Sequence, residues 1–356
     1  MVKTLSKIKI YTISVKRNLL SIILILFTIS LVIFSRSNLE AAKSGLLLWA
    51  NNVVPSLFPF FIATELLGHT NVIKLLGKYL NKFMKPIFNV PGEGAFAFIM
   101  GIISGYPTGA KIVVDFREKG ICTKTEAERL LAFTNNSGPL FILGTIGISL
   151  FGNTTIGILL LITHILSCFT VGFLFRFWKR NSDINLKNKT KNISSLDNLS
   201  LNFYNLGEVI GISIKNSIST IFLIGGFVVL FSVILSILDK SHIITILSNI
   251  INPLFDFIGI NHSFSSALIN GFIELTNGVK QIACIPCKNI SINIILCSFI
   301  LGFGGLSVLL QVFSIISKSD ISILPYFIGK LLQAIISAIY TYLFISNFLI
   351  FNFDLP

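Results

Sequence analysis

Long apolar stretches that contain no Asp, Glu, Lys or Arg dominate the pattern of hydrophobic and polar positions along the chain. Each is near or above the roughly 18 residues that a helix needs to cross the hydrocarbon core of a bilayer. The stretches are residues 18–35, 44–64, 154–175, 216–238, 289–317 and 331–353. They predict an all-α, polytopic membrane protein.

Two further apolar segments are interrupted by polar and helix-breaking residues. Residues 95–114 contain SGYPTGAK, in which a proline and two glycines break any helix. Neither arm is long enough to cross alone, so we expect a re-entrant hairpin that enters and leaves on the cytoplasmic side. Residues 130–150 contain TNNSGP and are predicted to cross as a broken helix. Thr123 and Thr125, each followed three residues later by Glu, are two candidate N-caps for it.

The same order of segments recurs in the second half of the chain. Residues 243–260 form a semi-polar helix candidate, 263–282 a second glycine-broken hairpin, and 289–317 a span interrupted by GFGG. Short motifs also align in order: LNKFMKPIFNV with LSNIINPLFDF, GIISGYPTGAK with GFIELTNGVK, and SGPL with FGGL. Three ordered matches at near-constant spacing predict an internal repeat.

The distribution of Lys and Arg predicts how the repeats are oriented. Basic residues without an acidic one precede the first span, which places the N-terminus in the cytoplasm. Three crossings then separate the starts of the two repeats, so the second repeat is predicted to be inverted. Residues 71–90 carry four lysines and 243–260 carry no Lys or Arg, as opposite membrane faces require. We interpret 71–90 as an interfacial helix; the alternative is a surface helix with a solvated basic face.

These features divide the chain into five parts. Residues 1–43 are predicted to be a cytoplasmic segment with a retained anchor helix. Residues 44–178 form the first transmembrane repeat, and 179–205 are a cytoplasmic linker rich in Asn, Ser and Lys. Residues 206–320 form the second, inverted repeat, and 321–356 hold the C-terminal transmembrane helix.

Composition and charge fit a membrane protein and argue against other classes. The chain is 53% hydrophobic and only 12% charged, against about 25% charged in soluble domains. The net charge of +13 comes from lysines in loops beside the apolar spans, as the positive-inside rule describes, so we expect the lipid bilayer and no nucleic acid as a partner. We expect no enzyme, no metal and no cofactor, because catalytic constellations are missing and the pair Cys284 and Cys287 lacks a redox or zinc context.

The breaks inside the apolar segments are the candidate substrate site. Interrupted backbone at membrane depth is costly unless it is buried in protein or lines a cavity, and transporters with inverted repeats bind substrate where paired breaks meet. Residues 104–111, 135–139, 274–280 and 302–305 are these breaks. The candidate substrate-binding residues are Ser104, Thr108, Lys111, Asn135, Asn136, Ser137, Gly138, Thr276, Asn277 and Lys280.

Charged residues near the breaks leave alternatives open. Lys111 and Lys280 occupy equivalent repeat positions and are suited to neutralise two carboxylates of a ligand; alternatively, both snorkel to the interface. Glu274 is a candidate for carrying a coupling H⁺ or helping to hold Na⁺, or else it pairs with Lys280. For His164, within a span, helix packing is favoured over a proton relay.

Three motifs carry a family resemblance: PSLFPF at 55–60, GIISGYPTGAK at 101–111 and FTNNSGPLFILG at 133–144. They resemble the YlbJ family of sporulation integral membrane proteins of endospore formers, which carry paired nucleoside-recognition (Gate) domains distantly similar to concentrative nucleoside transporters. The resemblance implies a nucleoside-transporter-like fold. It also implies that dipicolinate, a small aromatic dicarboxylate, moves from the mother cell across the outer forespore membrane. The alternatives are a nucleoside or related small-metabolite transporter and a non-transporting scaffold of the spore envelope.

Overall fold

A computed structural model describes residues 2–179, 205–287 and 290–347, and the side chains of all these residues except 2–17 and 258. Over this part of the chain the backbone is helical and contains no β-strand. Five helical segments are long and apolar enough to cross a membrane: Ser35–Gly68, Thr154–Phe175, Leu206–Lys240, Ser291–Ile316 and Leu324–Asn347. The predicted all-α, polytopic class is therefore confirmed.

The first half contains eight α-helices and two π-helical segments among the described residues. The α-helices are α1 (Val2–Ile33), α2 (Ser35–Leu48), α3 (Val54–Gly68), α4 (Val72–Phe88), α5 (Gly94–Ser104), α6 (Thr108–Glu118), α7 (Lys124–Thr134) and α8 (Thr154–Phe175). The π-helical segment Trp49–Val53 joins α2 to α3, and Leu140–Leu150 follows the break after α7. Of the two candidate caps, Thr123 begins α7 with a complete capping box, whereas Thr125 lies inside the helix.

The second half repeats this order of helices. Its helices are α9 (Leu206–Lys240), α10 (Ile243–Ile258), α11 (Ser263–Ile273), α12 (Leu275–Cys284), α13 (Ser291–Phe303), α14 (Gly305–Ile316) and α15 (Leu324–Asn347). In each half a long helix precedes a proline-containing helix, a broken hairpin, a broken helix and a final unbroken span. The recurring order agrees with the internal repeat predicted from the motifs.

Corresponding long helices of the two halves run antiparallel where they pack together. Trp49 donates a hydrogen bond to the carbonyl of Ile221 (2.9 Å), while Glu65, farther along α3, accepts one from Asn216 (3.1 Å), which lies earlier in α9. The final helices also run antiparallel: Thr163 of α8 meets Thr341 of α15 (3.1 Å), while Cys168, later in α8, accepts a hydrogen bond from Gln333, earlier in α15 (2.9 Å). Antiparallel pairing of equivalent helices is what an inverted repeat requires, and the inversion stays a prediction.

The ends of α8 lie in two separate hydrophobic clusters, which define two ends of the bundle. Phe175 packs in the cluster that holds α4, the loop after α6 and the loop after α14. Ile156 packs in the other, which holds α10 and the segment after α12. Arg117 and Asp320 form a two-pronged ion pair at the first end (both N–O distances 2.9 Å), and its hydrogen bonds lower the pKa of the Asp320 carboxyl. The connections after the two hairpins therefore lie at opposite ends.

Some boundaries differ from the predicted ones. The last span begins at Leu324, seven residues before the predicted 331, so it includes a lysine that the charge-free stretch left out. The predicted first span, 18–35, corresponds to the apolar second half of α1, Asn18–Ile33, and α2 follows almost at once. The predicted interfacial helix 71–90 is α4, whose lysines and a neighbouring apolar stripe are both exposed. Most of the predicted linker, residues 180–204, lies outside the described residues.

The topology can be tested by cysteine accessibility in a cysteine-free background. Because the ends of α6 and α14 lie at one end of the bundle and the end of α9 at the other, we expect Lys119→Cys and Lys318→Cys to label from the cytoplasm. Lys240→Cys should label from the opposite side. Labelling of positions 119 and 240 from the same side would contradict the inverted arrangement.

Candidate functional site

A cavity of about 440 Å³ lies where the chain breaks of both halves converge. The first half contributes Gly105 and Tyr106 from its hairpin and Ser137 and Gly138 from its broken helix. The second half contributes Glu274, Leu275 and Thr276 from its hairpin and Ser307, Val308 and Gln311 from the first turns of α14. The π-helical segment of the first span adds Asn51 and Asn52, and α9 adds Ile224 and Val228.

Close backbone approaches hold the breaks together. Gly105 has a positive φ of 76°, and a Cβ placed on it would lie 2.9 Å from the amide nitrogen of Gly138. In the second half, a Cβ on Gly305 (φ 84°) would lie 3.1 Å from the amide nitrogen of Leu275. Glycine is therefore needed where hairpin and broken helix meet in each half. Tyr106 links the halves by donating a hydrogen bond to the carbonyl of Leu301 (3.2 Å).

Helix N-termini face the cavity from both halves. The helical segment Leu140–Leu150 begins beside Gly138, and α14 begins at Gly305, two residues before Ser307. The first N–H groups of a helix have no intrahelical partner and carry partial positive charge, so they favour anionic ligands. The cavity therefore presents backbone donors suited to a carboxylate.

Glu274 occupies the third N-terminus at the cavity. Its two carboxylate oxygens accept hydrogen bonds from the backbone N–H groups of Thr276 (3.0 Å) and Asn277 (2.8 Å). Glu274 is therefore the N-cap of α12, and the carboxylate satisfies two donors that would otherwise be unpaired in the membrane. These bonds account for Glu274 without Lys280 as a partner.

Behind the cavity wall, α15 carries a stripe of buried polar side chains. Tyr326, Lys330, Gln333, Ser337 and Thr341 follow a helical spacing, and each is at most 1% exposed. They face the break after α7, together with α8 and α13. Tyr326 accepts a hydrogen bond from Asn135 (2.9 Å), and Ser337 bonds Ser298 (2.6 Å).

Asn136 is the centre of this polar layer. Its side-chain oxygen accepts hydrogen bonds from Lys330 (3.2 Å), Gln333 (3.2 Å) and Cys168 (3.0 Å). The next residue, Ser137, donates its backbone N–H to His164 Nε2 (3.3 Å), so His164 satisfies one of the amides freed by the break. The layer thus fixes the broken segment from behind while Ser137 and Gly138 face the cavity.

Comparison with known proteins agrees with this architecture. A family model described as nucleoside recognition (Gate) matches residues 50–175. The sporulation integral membrane protein YlbJ of Bacillus subtilis (strain 168) is 35% identical over 325 residues, which cover 89% of this chain and 79% of that protein. This chain belongs to the YlbJ family. No solved structure matches it.

Family membership agrees with the resemblance seen in the motifs and with a multi-pass membrane protein. Neither match points to a known enzyme family. The Gate match covers α3 to α8, including the first hairpin and broken helix, and ends before α9. In this YlbJ-family protein, the cavity residues contributed by the second half and the whole polar stripe of α15 therefore lie outside the Gate match.

The predicted site residues fall into four places in this YlbJ-family chain. Ser137, Gly138 and Thr276 line the cavity, while Asn135, Asn136 and Asn277 hold its wall through the hydrogen bonds described above. Ser104 bonds the hydroxyl of Thr64 (2.9 Å), and Thr108 and Lys111 line a second cavity of about 250 Å³. Lys280 is exposed and lines neither cavity.

The two lysines at equivalent repeat positions are thus not brought together. Lys111 forms an ion pair with Glu65 (2.6 Å) and also donates to Thr220 Oγ1 (3.1 Å), which ties α6 to α3 and α9. Lys111 therefore already has a carboxylate partner within the protein. The structure does not support a two-lysine clamp on one ligand in the larger cavity.

Several residues at the site were not singled out from the sequence. Tyr106 lies in the GYP motif, and Asn51, Asn52 and Gln311 lie in spans without a neighbouring charge. Lys330 offered the clearest signal, because an ionisable residue inside a span is a functional candidate by default. It was missed because the charge-free stretch began at residue 331.

The capping role of Glu274 predicts how substitutions change stability. Glu274→Ala should lower the free energy of unfolding by about 0.5–2 kcal/mol, as for other lost N-caps, whereas Glu274→Asp should retain most of it. Thermal unfolding of the purified variants in detergent measures the difference. Equal stability of the Ala and Asp variants would contradict the capping role.

Proposed function

We propose that this protein is a transporter that carries dipicolinate from the mother cell across the outer forespore membrane. The observation that carries the proposal is one cavity formed by chain breaks from both halves, with helix N-termini facing it. Its volume of about 440 Å³ lies within the range of small-molecule sites. A single-ring dicarboxylate is small enough to be enclosed there.

The lining chemistry supports an aromatic anion. The rings of Tyr106 and Phe141 and the side chains of Val308 and Leu275 offer an apolar surface for a flat ring. Ser137, Thr276 and the N-terminus of α14, which has no side-chain cap, offer donors for carboxylate oxygens. The relative of this chain is named for sporulation, the process in which dipicolinate accumulates, and this supports the choice of substrate.

The antiparallel halves suggest how such a carrier works. Transporters with inverted repeats move one half against the other around a fixed site, which opens the site to each side in turn. Here the halves meet along α2 and α3 with α9, along α8 with α15, and at the cavity. We therefore propose that the cavity stays at the midplane while access alternates.

A nucleoside is the second candidate substrate, because the matching family model is described as nucleoside recognition. Asn51, Asn52 and Gln311 line the cavity and are suited to hydrogen-bond ribose hydroxyls. A scaffold would have no need for breaks that converge on a cavity, so transport is favoured over a structural role.

Uptake by proteoliposomes distinguishes these functions. Purified protein should accumulate labelled dipicolinate faster than protein-free vesicles, and unlabelled dipicolinate should compete far better than nucleosides. Selective competition by nucleosides would indicate that the substrate is a nucleoside. No uptake of either compound by correctly inserted protein would favour the scaffold.

Gly138 gives a sharper test of the site. Gly138→Leu places a side chain at the break that lines the cavity, and its Cβ would lie 3.6 Å from the backbone of Gly105. Dipicolinate uptake should therefore fall at least tenfold. Gly144→Leu is the matched control, because its Cβ would meet only the Leu140 side chain at 3.9 Å. We expect near-normal uptake for the control and equal membrane insertion for both. Equal uptake by the two variants would show that the break at Gly138 is not part of the substrate site.

A further inference from the structure

Lys330 is an ionisable side chain buried completely in the centre of the bundle. It is 0% exposed, and its amino nitrogen donates hydrogen bonds to the side-chain oxygens of Gln333 (2.7 Å) and Asn136 (3.2 Å). Both acceptors are neutral amides. Among the described residues, no carboxylate lies within ion-pair distance of Lys330, in contrast to Lys111 with Glu65.

The groups that face Lys330 from neighbouring elements do not supply the negative charge that a protonated lysine would need as a partner. Tyr106 from the first hairpin and Tyr326 from α15 place their rings 5.4 and 5.8 Å from Lys330 Nζ. The α8 residues of the layer are Cys168 and His164, and α13 contributes the neutral Ser298. The acidic residues of α7 are engaged elsewhere: Glu126 caps that helix, and Glu128 binds Lys179 at the end of the bundle.

Only one side-chain layer separates Lys330 from the cavity. The ring of Tyr106, over which Lys330 Nζ lies, is itself part of the cavity lining. Asn136, which accepts from Lys330, directly precedes the lining residues Ser137 and Gly138. An anion in the cavity therefore lies near Lys330 in an environment of low dielectric constant, where charges interact strongly.

A buried ammonium is costly unless an opposite charge accompanies it. The cavity is the place from which that charge can come, since the carboxylate of Glu274 is already engaged by the N-terminus of α12. Resting on the proposed function, we infer that Lys330 is a proton-binding coupling site whose proton travels with the anionic substrate. The amine takes up one proton as the anion enters the cavity and releases it as the anion leaves on the other side.

This inference predicts pH-linked binding that depends on Lys330. At pH values where Lys330 is neutral in the free protein and protonated in the complex, the affinity for fully ionised dipicolinate should fall about tenfold for each unit rise in pH, as uptake of one proton requires. Calorimetry in buffers of different ionisation enthalpy should give about one proton taken up per dipicolinate bound. Lys330→Gln should weaken dipicolinate binding at least tenfold and abolish the proton uptake that accompanies binding.

Two further variants separate charge from proton exchange. Lys330→Arg keeps a cation that does not deprotonate, so it should bind dipicolinate without proton uptake. Lys280→Gln, at an exposed lysine, should behave as wild type. Thermal unfolding in detergent identifies the variants that are folded. The proton uptake of the wild-type protein can be interpreted even if a variant does not fold.

Each outcome bears on the inference. Dipicolinate binding by the wild type without proton uptake overturns it and leaves the proposed function intact. Proton uptake that persists in folded Lys330→Gln also overturns the inference and points to another proton-binding group, such as Glu274. A wild-type protein that binds no dicarboxylate overturns the proposed function, and the inference with it.

Discussion

Backbone N–H and C=O groups cannot be left unpaired in hydrocarbon, and this constraint organises the structure. The chain interrupts its helices at four points, and each interruption frees groups that need partners. Some of these groups have side-chain partners: Glu274 accepts from two amides at the start of α12, and His164 accepts from the amide of Ser137. Gly105 and Gly305 allow hairpin and broken helix to approach closely in each half, and the breaks converge on one cavity. The site is thus a consequence of where the chain is broken.

The helical class and the breaks could be predicted from the sequence because their signals are local. Charge-free length predicts spans, Pro107 and the glycines predict the first hairpin, and Thr123 with Glu126 predicts the start of α7. An internal repeat was also predicted, because three short motifs recur in order, and the order of the helices agrees with it. Most of the candidate site residues lie at or immediately behind the cavity for the same reason.

Partner choice could not be predicted, because it depends on packing between distant segments. Lys111 meets Glu65 from 46 residues away and Thr220 from 109 away, so its ion pair has no signal in sequence spacing. Lys330 contacts Asn136 across 194 residues. A charge-free criterion places such a lysine outside the span, although the packing of α15 against α8 and α13 buries it completely.

The two halves act together at the cavity, whereas α15 has a separate role. Breaks from both halves form the cavity, and α15, which lies outside the Gate match, supplies the polar layer behind it. The central claim is therefore that one ligand site is shared between the halves.

Substrate protection of cysteines tests this claim most directly. In a cysteine-free background, Ser137→Cys and Thr276→Cys place thiols on the cavity wall from different halves, and Lys111→Cys places one in the second cavity. Dipicolinate should slow alkylation at positions 137 and 276 to the same extent and at the same concentration, and leave position 111 unchanged. Protection at position 111 alone, or at one of the two cavity positions but not the other, would contradict a shared site.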